Sequence, residues 1–296
     1  MSGHDTWVLY HWLSDSGYFI HAVVPECTSL PAHVDDTLQG ILRAVPARTT
    51  HFVFHLNCTV TAKFPEERAA LVEALTSRGV RVLNAHATDI SKQHVQQVCA
   101  ELGLPTVTAE RDGHPDEMVI VKTDLNFGGD SEWALSDEQR STLGIREGSD
   151  IIWKPNHYRV LPRRDVEPPW WSDPRLVVER FVTNRDERWY RAFLFLDRLA
   201  VCELSNPNQI KKVNESAVLR VWMLSLNELS VPADAPARLI ESLRRFVRAF
   251  PLDFGTVDVV ADDAGSHYII DVNTTAAYNY PIEGVVAFMR GALAPH

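Results

Sequence analysis

Near one end the chain reads GTVDVVADDAGSHYIIDVNTT (255–275), with two strand-like runs, TVDVV and YIIDVN, flanking the turn sequence ADDAGS. A hairpin here constrains the fold more than any other stretch. With the turn centred on Ala264 and Gly265, Asp258 and Asp271 stand directly opposite each other, and Asn273 shares their face. Opposed Cβ atoms lie about 4.5–5.5 Å apart. Two carboxylates that close repel, and neither ionises freely alone. Spacing leaves two answers open. One is a divalent cation held by three oxygen donors on a rigid face, with room for water and phosphate, as Mg²⁺ is usually held. The other is a register shifted by one, with one aspartate near the turn and the other in a salt bridge.

The 296 residues, 45% of them hydrophobic, can bury a large core in one elaborate domain or in two to three small ones. The first third alternates. HFVFHL (51–56) reads as a strand, 65–79 as a helix stopped by Gly79, VRVLNA (80–85) as a strand, and 89–103 as a helix capped by Asp89 or Ser91 and ended by Gly103. WVLYHW (7–12) reads as a further strand, and SGYFIHAVVP (16–25) is hard to place. The alternation predicts a parallel sheet. A boundary is expected at LGLPTV (102–107). EMVIVKTDLNFGGD (117–130) then runs from a strand into a glycine loop. Residues 131–173 are less regular, and LPRRDVEPPWWSDP reads as an ordered loop. RLVVERFV (175–182) is a strand, WYRAFLFLDRLAVCELS two strands joined at Asp197-Arg198, and NPNQIKKVNESA a polar loop. Residues 235–250 form an amphipathic helix, and a helical region starts at about 282.

A formal net charge of −10 argues against a broad nucleic-acid surface, yet leaves room for an anionic small ligand in a local basic pocket. No run approaches about 18 apolar residues, so no membrane helix is expected. MSGHDTWVLYHW does not read as a signal peptide. The four cysteines, Cys27, Cys58, Cys99 and Cys202, lack metal spacing and read as buried free thiols, consistent with a cytoplasmic protein. G-x-S-x-G, H-E-x-x-H, G-x-G-x-x-G and the P-loop motif are all missing. The twelve histidines are dispersed and read as structural or surface groups, although His51 and His55 share a strand face and could border a substrate cavity.

In order and spacing, residues 80–296 resemble the ATP-grasp superfamily. The resemblance implies an α/β (α+β) ATP-grasp architecture: an N-terminal α/β domain (1–103), a central lid subdomain (104–183) and a C-terminal catalytic subdomain (184–296), with nucleotide between the last two. It implies that Lys92 and Lys122 reach the nucleotide phosphates, and that Asn126, Phe127, Gly128 and Gly129 form the flexible loop covering them. The chemistry is sound, since glycines let backbone N–H groups approach phosphate and lysine adds a compact charge. Glu179 and the backbone of Arg180, Phe181 and Val182 would hold adenine. Glu187 would accept the ribose hydroxyls, with Asp186 as rival. Asp258, Asp271 and Asn273 would hold the metal. Arg191, Lys211, Lys212 and Arg220 are the candidates for the basic group beside the transferred phosphate.

The family's usual activity makes the expected function an ATP- and Mg²⁺-dependent carboxylate–amine ligase. It would form an amide or peptide bond through an acyl phosphate and release ADP and phosphate. Two Mg²⁺ ions are expected, with Mn²⁺ an alternative. A small-molecule kinase on the same fold is the rival reading. The expected partners are a small carboxylate and an amine, with no nucleic acid and no membrane, and a homodimer is compatible with the sequence. One departure matters. The D-alanine–D-alanine ligases carry an arginine two residues before the first metal aspartate, and Thr256 stands there. Residues 1–80 match no family pattern.

Overall fold

Three sheets organise the chain in the computed structural model, which describes residues 6–12, 18–24, 26–145, 158–228, 230–276, 282 and 284–293. The first sheet is parallel, in the order β2-β1-β3-β4, built from β1 (Trp7–Trp12), β2 (Cys27–Pro31), β3 (His51–Leu56) and β4 (Arg81–Leu83). Helices α1 (Phe19–Val23), α2 (Leu38–Ala44) and α3 (Arg68–Ser77) connect these strands. Helix α1 falls in the unplaced SGYFIHAVVP, of which residues 16, 17 and 25 lie outside the described ones. Strand β2 gave no signal because it buries little and shows no apolar alternation. Helix α4 (Lys92–Glu101) follows. Ser91 is its cap, accepting from the His94 N–H, while Asp89 accepts from the Ser91 N–H.

The second sheet is antiparallel in the order β6-β5-β7, from β5 (Met118–Thr123), β6 (Arg159–Pro162) and β7 (Leu176–Arg180). Two short helices, α5 (Asp130–Trp133) and α6 (Asp137–Thr142), lie between β5 and β6, and residues 146–157 are outside the described ones. The Pro/Trp-rich stretch is ordered, as expected. It makes two 3-10 turns and lays Trp170 and Trp171 against Val119, Val121 and Leu176.

The third sheet is antiparallel in the order β10-β9-β8-β11-β12. Its strands are β8 (Arg188–Phe195), β9 (Arg198–Ser205), β10 (Ala217–Ser225), β11 (Phe254–Ala261) and β12 (His267–Asn273), joined by α7 (Ala237–Ala249) and followed by α8 (Val285–Arg290). The β8–β9 turn sits at Leu196-Asp197, one residue earlier than expected, because Leu196 takes φ 55°. Strand β10 escaped notice in the sequence because its first four residues are exposed.

Burial ties the first and third sheets together, while the second sheet has a small core of its own. Leu239, Ile240, Leu243, Phe246 and Val247 of α7 pack on Ala192, Leu194, Val201 and Val257, with α4 alongside. Each such side chain contributes about 1.5–3 kcal/mol. The opposite face of the third sheet puts Trp189, Phe193, Phe195 and Phe254 against Trp7, Leu9 and Val53 of the first sheet. Asn84, at φ 54°, locks this interface. It donates to Asp253 Oδ2 and the Phe254 carbonyl, and its Oδ1 accepts both their N–H groups. The four cysteines are free thiols and three of them are buried.

Candidate active site

Asp258 and Asp271 are register partners in β11 and β12, and Thr256 pairs with Asn273. Two offsets produce this register. The turn centres on Ala264, half a residue before the expected point, and an extra residue at Ile270 restores the count. Gly255 keeps the strands close, because a Cβ there would lie 2.5 Å from the Asn273 carbonyl oxygen.

The register is the unshifted one, and the two opposed carboxylates are answered unequally. Asp258 is paired with Arg191, its partner on β8, through Nε to Oδ1 at 2.7 Å and Nη2 to Oδ2 at 2.6 Å. Asp271 is not answered that way. Its Oδ1 is buried and accepts no hydrogen bond. Burial raises its carboxyl above the usual carboxylate range and Asp258 adds to this, against the pull of Lys92, Lys122 and Arg191. The charge still needed at Asp271 Oδ1 is positive, and the donors around it are hard oxygens, so the residues present fit Mg²⁺. Among the described residues no three His, Cys, Asp or Glu side chains converge as a metal cluster. A cation here would therefore take two carboxylates and complete its shell from Asn273, water and phosphate. Asn273 Oδ1 now accepts the Thr275 N–H at 2.7 Å.

Two buried lysines face the acids. Lys92 donates to the Leu125 carbonyl at 2.7 Å, and burial lowers its pKa. Lys122 pairs with Glu179 at 2.7 Å, with side-chain exposures of 7% and 3%, and Glu179 Oε1 has no partner. Lys92, Lys122, Glu179, Asp258, Asp271 and Lys211 line a cavity of about 130 Å³ between the second and third sheets. Ile120, Arg180, Phe181 and Val182 form its wall on the second sheet, and Val260 and Ile270 its wall on the third. Tyr158, which sequence reasoning missed, also lines it, and burial raises its phenol pKa.

Other expected residues are placed differently. The N–H groups of Arg180 and Phe181 are already bonded to Val107 and Met118 carbonyls, so a base docking there would meet Val182 and the strand's carbonyls instead. Glu179 faces Lys122 rather than an open adenine slot. Asn126 to Gly129 do not line the cavity. They form a tight turn with positive φ at Phe127, Gly128 and Gly129, docked on the segment that follows β3. Thr59 holds it, its hydroxyl accepting from Asn126 N–H at 2.8 Å and its own N–H donating to Glu132 at 2.6 Å. Neither Thr59 nor Glu132 carried a sequence signal. Glu187 is half-buried, at φ 56°, and lies outside the cavity wall, while Asp186 pairs with Arg188 at the surface. Lys211 donates to the Asn206 carbonyl, and burial lowers its pKa while Glu187 opposes that shift. Lys212 is exposed. Arg220, 58% exposed, pairs with Glu203 and Asp234 away from the cavity because β10 is the far edge strand.

No family model matches the chain, and no curated protein matches its sequence. Solved structures do match its fold. A Chryseobacterium gregarium RiPP-associated ATP-grasp ligase, in complex with ADP and a leader and core peptide, superposes with TM-score 0.55 at 11% identity, over 99% of this chain and 98% of that one. The ATP-grasp ligase PsnB, complexed with precursor peptide and AMPPNP, gives 0.52 at 14% identity over 99% and 98%. The D-alanine–D-alanine ligase of Bacillus anthracis gives 0.50 at 11% over 93% and 88%. The likeness shows an ATP-grasp fold. Among the described residues no helix is long and apolar enough to cross a membrane.

Proposed function

We propose that this chain is an ATP- and Mg²⁺-dependent carboxylate–amine ligase. The observation that carries the reading is the unpartnered, buried Asp271 Oδ1, set opposite Asp258 and facing Lys92 and Lys122 across one cleft. That arrangement suits a polyphosphate whose negative charge reaches the lysines and whose cation reaches the carboxylates. The structural neighbours are ligases of this fold, which favours ligation over other uses of ATP.

Asp258, Asp271 and Asn273 would hold Mg²⁺, which supplies charge neutralisation at the phosphate oxygens; two ions are expected and Mn²⁺ is an alternative. Lys92 and Lys122 would orient the β- and γ-phosphates. Lys122 must exchange Glu179 for phosphate, and Glu179 Oε1 can then accept the adenine amino group. The substrate carboxylate attacks the γ-phosphorus and expels ADP, and the amine, losing a proton, then displaces phosphate from the acyl carbon. The protein's work is positioning and charge neutralisation. Arg191 meets the reacting phosphate only by giving up part of its hold on Asp258, whereas Lys211 already lines the cavity. Lys211 is therefore the better placed of the two, and Lys212 and Arg220 are set aside. The 126–129 loop, released from Thr59, would cover the phosphates and keep water from the acyl phosphate.

The test is an assay of ADP and phosphate release across pairs of small acids and amines, with mass spectrometry of the product. Release that needs both partners and yields an amide supports the ligase. Phosphate transferred intact to a stable acceptor, with ADP and no free phosphate, supports the kinase instead.

A further inference from the structure

The second sheet has two faces, and the nucleotide cleft uses one of them. Ile120 and Lys122 of β5 line that cleft, while Val119 and Val121 point the other way, into the small core they share with Val166 and Trp171. Beside this core lies a separate cavity of about 260 Å³. Among the described residues none lines both it and the cleft. Two segments frame it, the turn at 110–116 and the stretch that follows β6. Backbone bonds join them, from the Arg163 N–H to the Glu117 carbonyl at 2.8 Å and from the Arg164 N–H to the Pro115 carbonyl at 3.0 Å.

Three arginines, Arg111, Arg163 and Arg164, line this cavity beside Trp171, Val166 and Pro168. Among the described residues no Asp or Glu lines it. The acids that pair with these arginines stand outside the lining. Glu117 takes Arg163 Nη2, Asp116 takes Arg164 Nη1, and Asp165 lies 3.9 Å from Arg164 Nε. Arg111 is exposed and makes no hydrogen bond or ion pair with a described residue. The wall is therefore cationic.

Arg163 is the informative member. It is 7% exposed, yet its Nε and Nη1 are buried with no hydrogen-bond partner among the described residues. A guanidinium is always charged and carries five N–H donors. Leaving donors of a buried charge unmade is costly. The fold nevertheless shelters this one closely. The turn passes over it so tightly that a Cβ on Gly113 would lie 2.6 Å from its Cζ, and the Trp171 ring centre stands 5.8 Å from the same atom. Residues 110–116 are exposed throughout, so a small shift of the turn uncovers no core.

We propose that this cavity binds a small multivalent oxyanion, a phosphate ester or a polycarboxylate, with Arg163 as its anchor. The planar guanidinium matches two oxygens of such a group, and Arg111 adds charge at the rim. Trp171, Val166 and Pro168 receive the carbon skeleton. The cavity has the room of roughly nine waters at about 30 Å³ each, which suits a small organic anion. The Gly113 turn lifts enough to bring an oxygen to Nε and Nη1. The site lies on the face of the sheet away from the nucleotide, and the assignment goes beyond the ligase reading without resting on it.

The test follows the Trp171 indole N–H and the Gly113 amide by ¹⁵N NMR of the whole chain, at ionic strength held constant with NaCl. Inorganic phosphate, glycerol 3-phosphate and succinate are added in turn, with glycerol and spermidine as neutral and cationic controls. Each titration is run with and without saturating Mg-AMPPNP. The expected result is that at least one anion moves both resonances, saturably, to the same extent under both conditions, while the controls move neither. Which anions do so distinguishes a phosphate ester from a polycarboxylate. Arg163→Gln and, separately, Arg111→Gln weaken that binding roughly tenfold, the loss of one charge-assisted hydrogen bond. Arg111 is exposed, so its variant keeps the fold and the test stands even where Arg163→Gln does not fold. Resonances unmoved by every anion, equal movement with glycerol or spermidine, or affinity unchanged in Arg111→Gln and in any folded Arg163→Gln overturns the assignment. Movement abolished by Mg-AMPPNP overturns it too, because the anion was then in the nucleotide cleft. Failure of Mg-AMPPNP to bind would count against the ligase reading alone.

Discussion

Arg191 lies bidentate on Asp258, from the neighbouring strand β8, with N···O distances of 2.7 and 2.6 Å and side-chain exposures of 17% and 13%. The guanidinium takes one lone pair of each carboxylate oxygen and leaves the others toward the cavity. Removing one partner leaves a largely buried charge without its counter-ion. Arg191→Met should therefore destabilise the fold by about 3–5 kcal/mol. Arg191→Met with Asp258→Leu should recover most of that. Urea denaturation of both variants checks it, and equal losses in the two would show that the pair is not the source.

Gly255→Ala should disturb the site from a distance. The new Cβ would lie 2.5 Å from the Asn273 carbonyl, which is backbone and cannot swing aside. Strands β11 and β12 must part there, at a cost of about 1–3 kcal/mol, as for an overpacked core. The expected outcome is a lower melting temperature together with weaker Mg²⁺ dependence of nucleotide binding. Gly291→Ala, where a Cβ meets nothing within 4 Å, should change neither.

Thr59→Val removes the acceptor for the Asn126 N–H and keeps the backbone donor to Glu132. One hydrogen bond of about 0.5–1.5 kcal/mol holds the loop in its docked place. Hydrogen exchange at Asn126 to Gly129 should quicken several-fold, while core strands such as β8 exchange as before.

The sequence carried the hairpin and Lys122 because each is a local pattern, apolar alternation on both sides of ADDAGS and a lysine at a strand end before glycines, whereas Lys92, at the start of a helix, came only from the resemblance. The partners of these groups were hidden because they are not local. Arg191 reaches Asp258 across 67 positions, and Thr59 reaches Glu132 across 73. Register at Asp258 and Asp271 came out as expected only because a shifted turn and a bulge at Ile270 offset each other. Strand β10 hid in an exposed run, and the tie between Lys122 and Glu179 needs the β5–β7 pairing before it can be seen.

His55 should give the fold a pH dependence of defined sign. Its folded pKa lies near 3, lowered first by burial and then by His21 and His11, against an ordinary 6.5. Between those values the unfolded chain binds the extra proton, so stability rises with pH through this window and is fully present above 6.5. His55→Gln should flatten that slope, as read from denaturation midpoints across the window. Asp271 acts oppositely. Its raised carboxyl holds its proton in the folded chain above the ordinary 3.8, so its share of stability falls as pH rises through the raised value. Mg²⁺ should bind more tightly as that proton leaves.

The central claim is that the face shared by Asp258, Asp271 and Asn273 holds the cation that accompanies ATP. Calorimetric titration of ATP, with and without Mg²⁺, on the wild type and on Asp271→Ala with Asn273→Ala tests it most directly. The account predicts Mg²⁺-dependent binding by the wild type and loss of that dependence in the double variant, with the fold retained by circular dichroism. A wild type that binds no nucleotide, or a folded double variant that binds it with undiminished Mg²⁺ dependence, would contradict it.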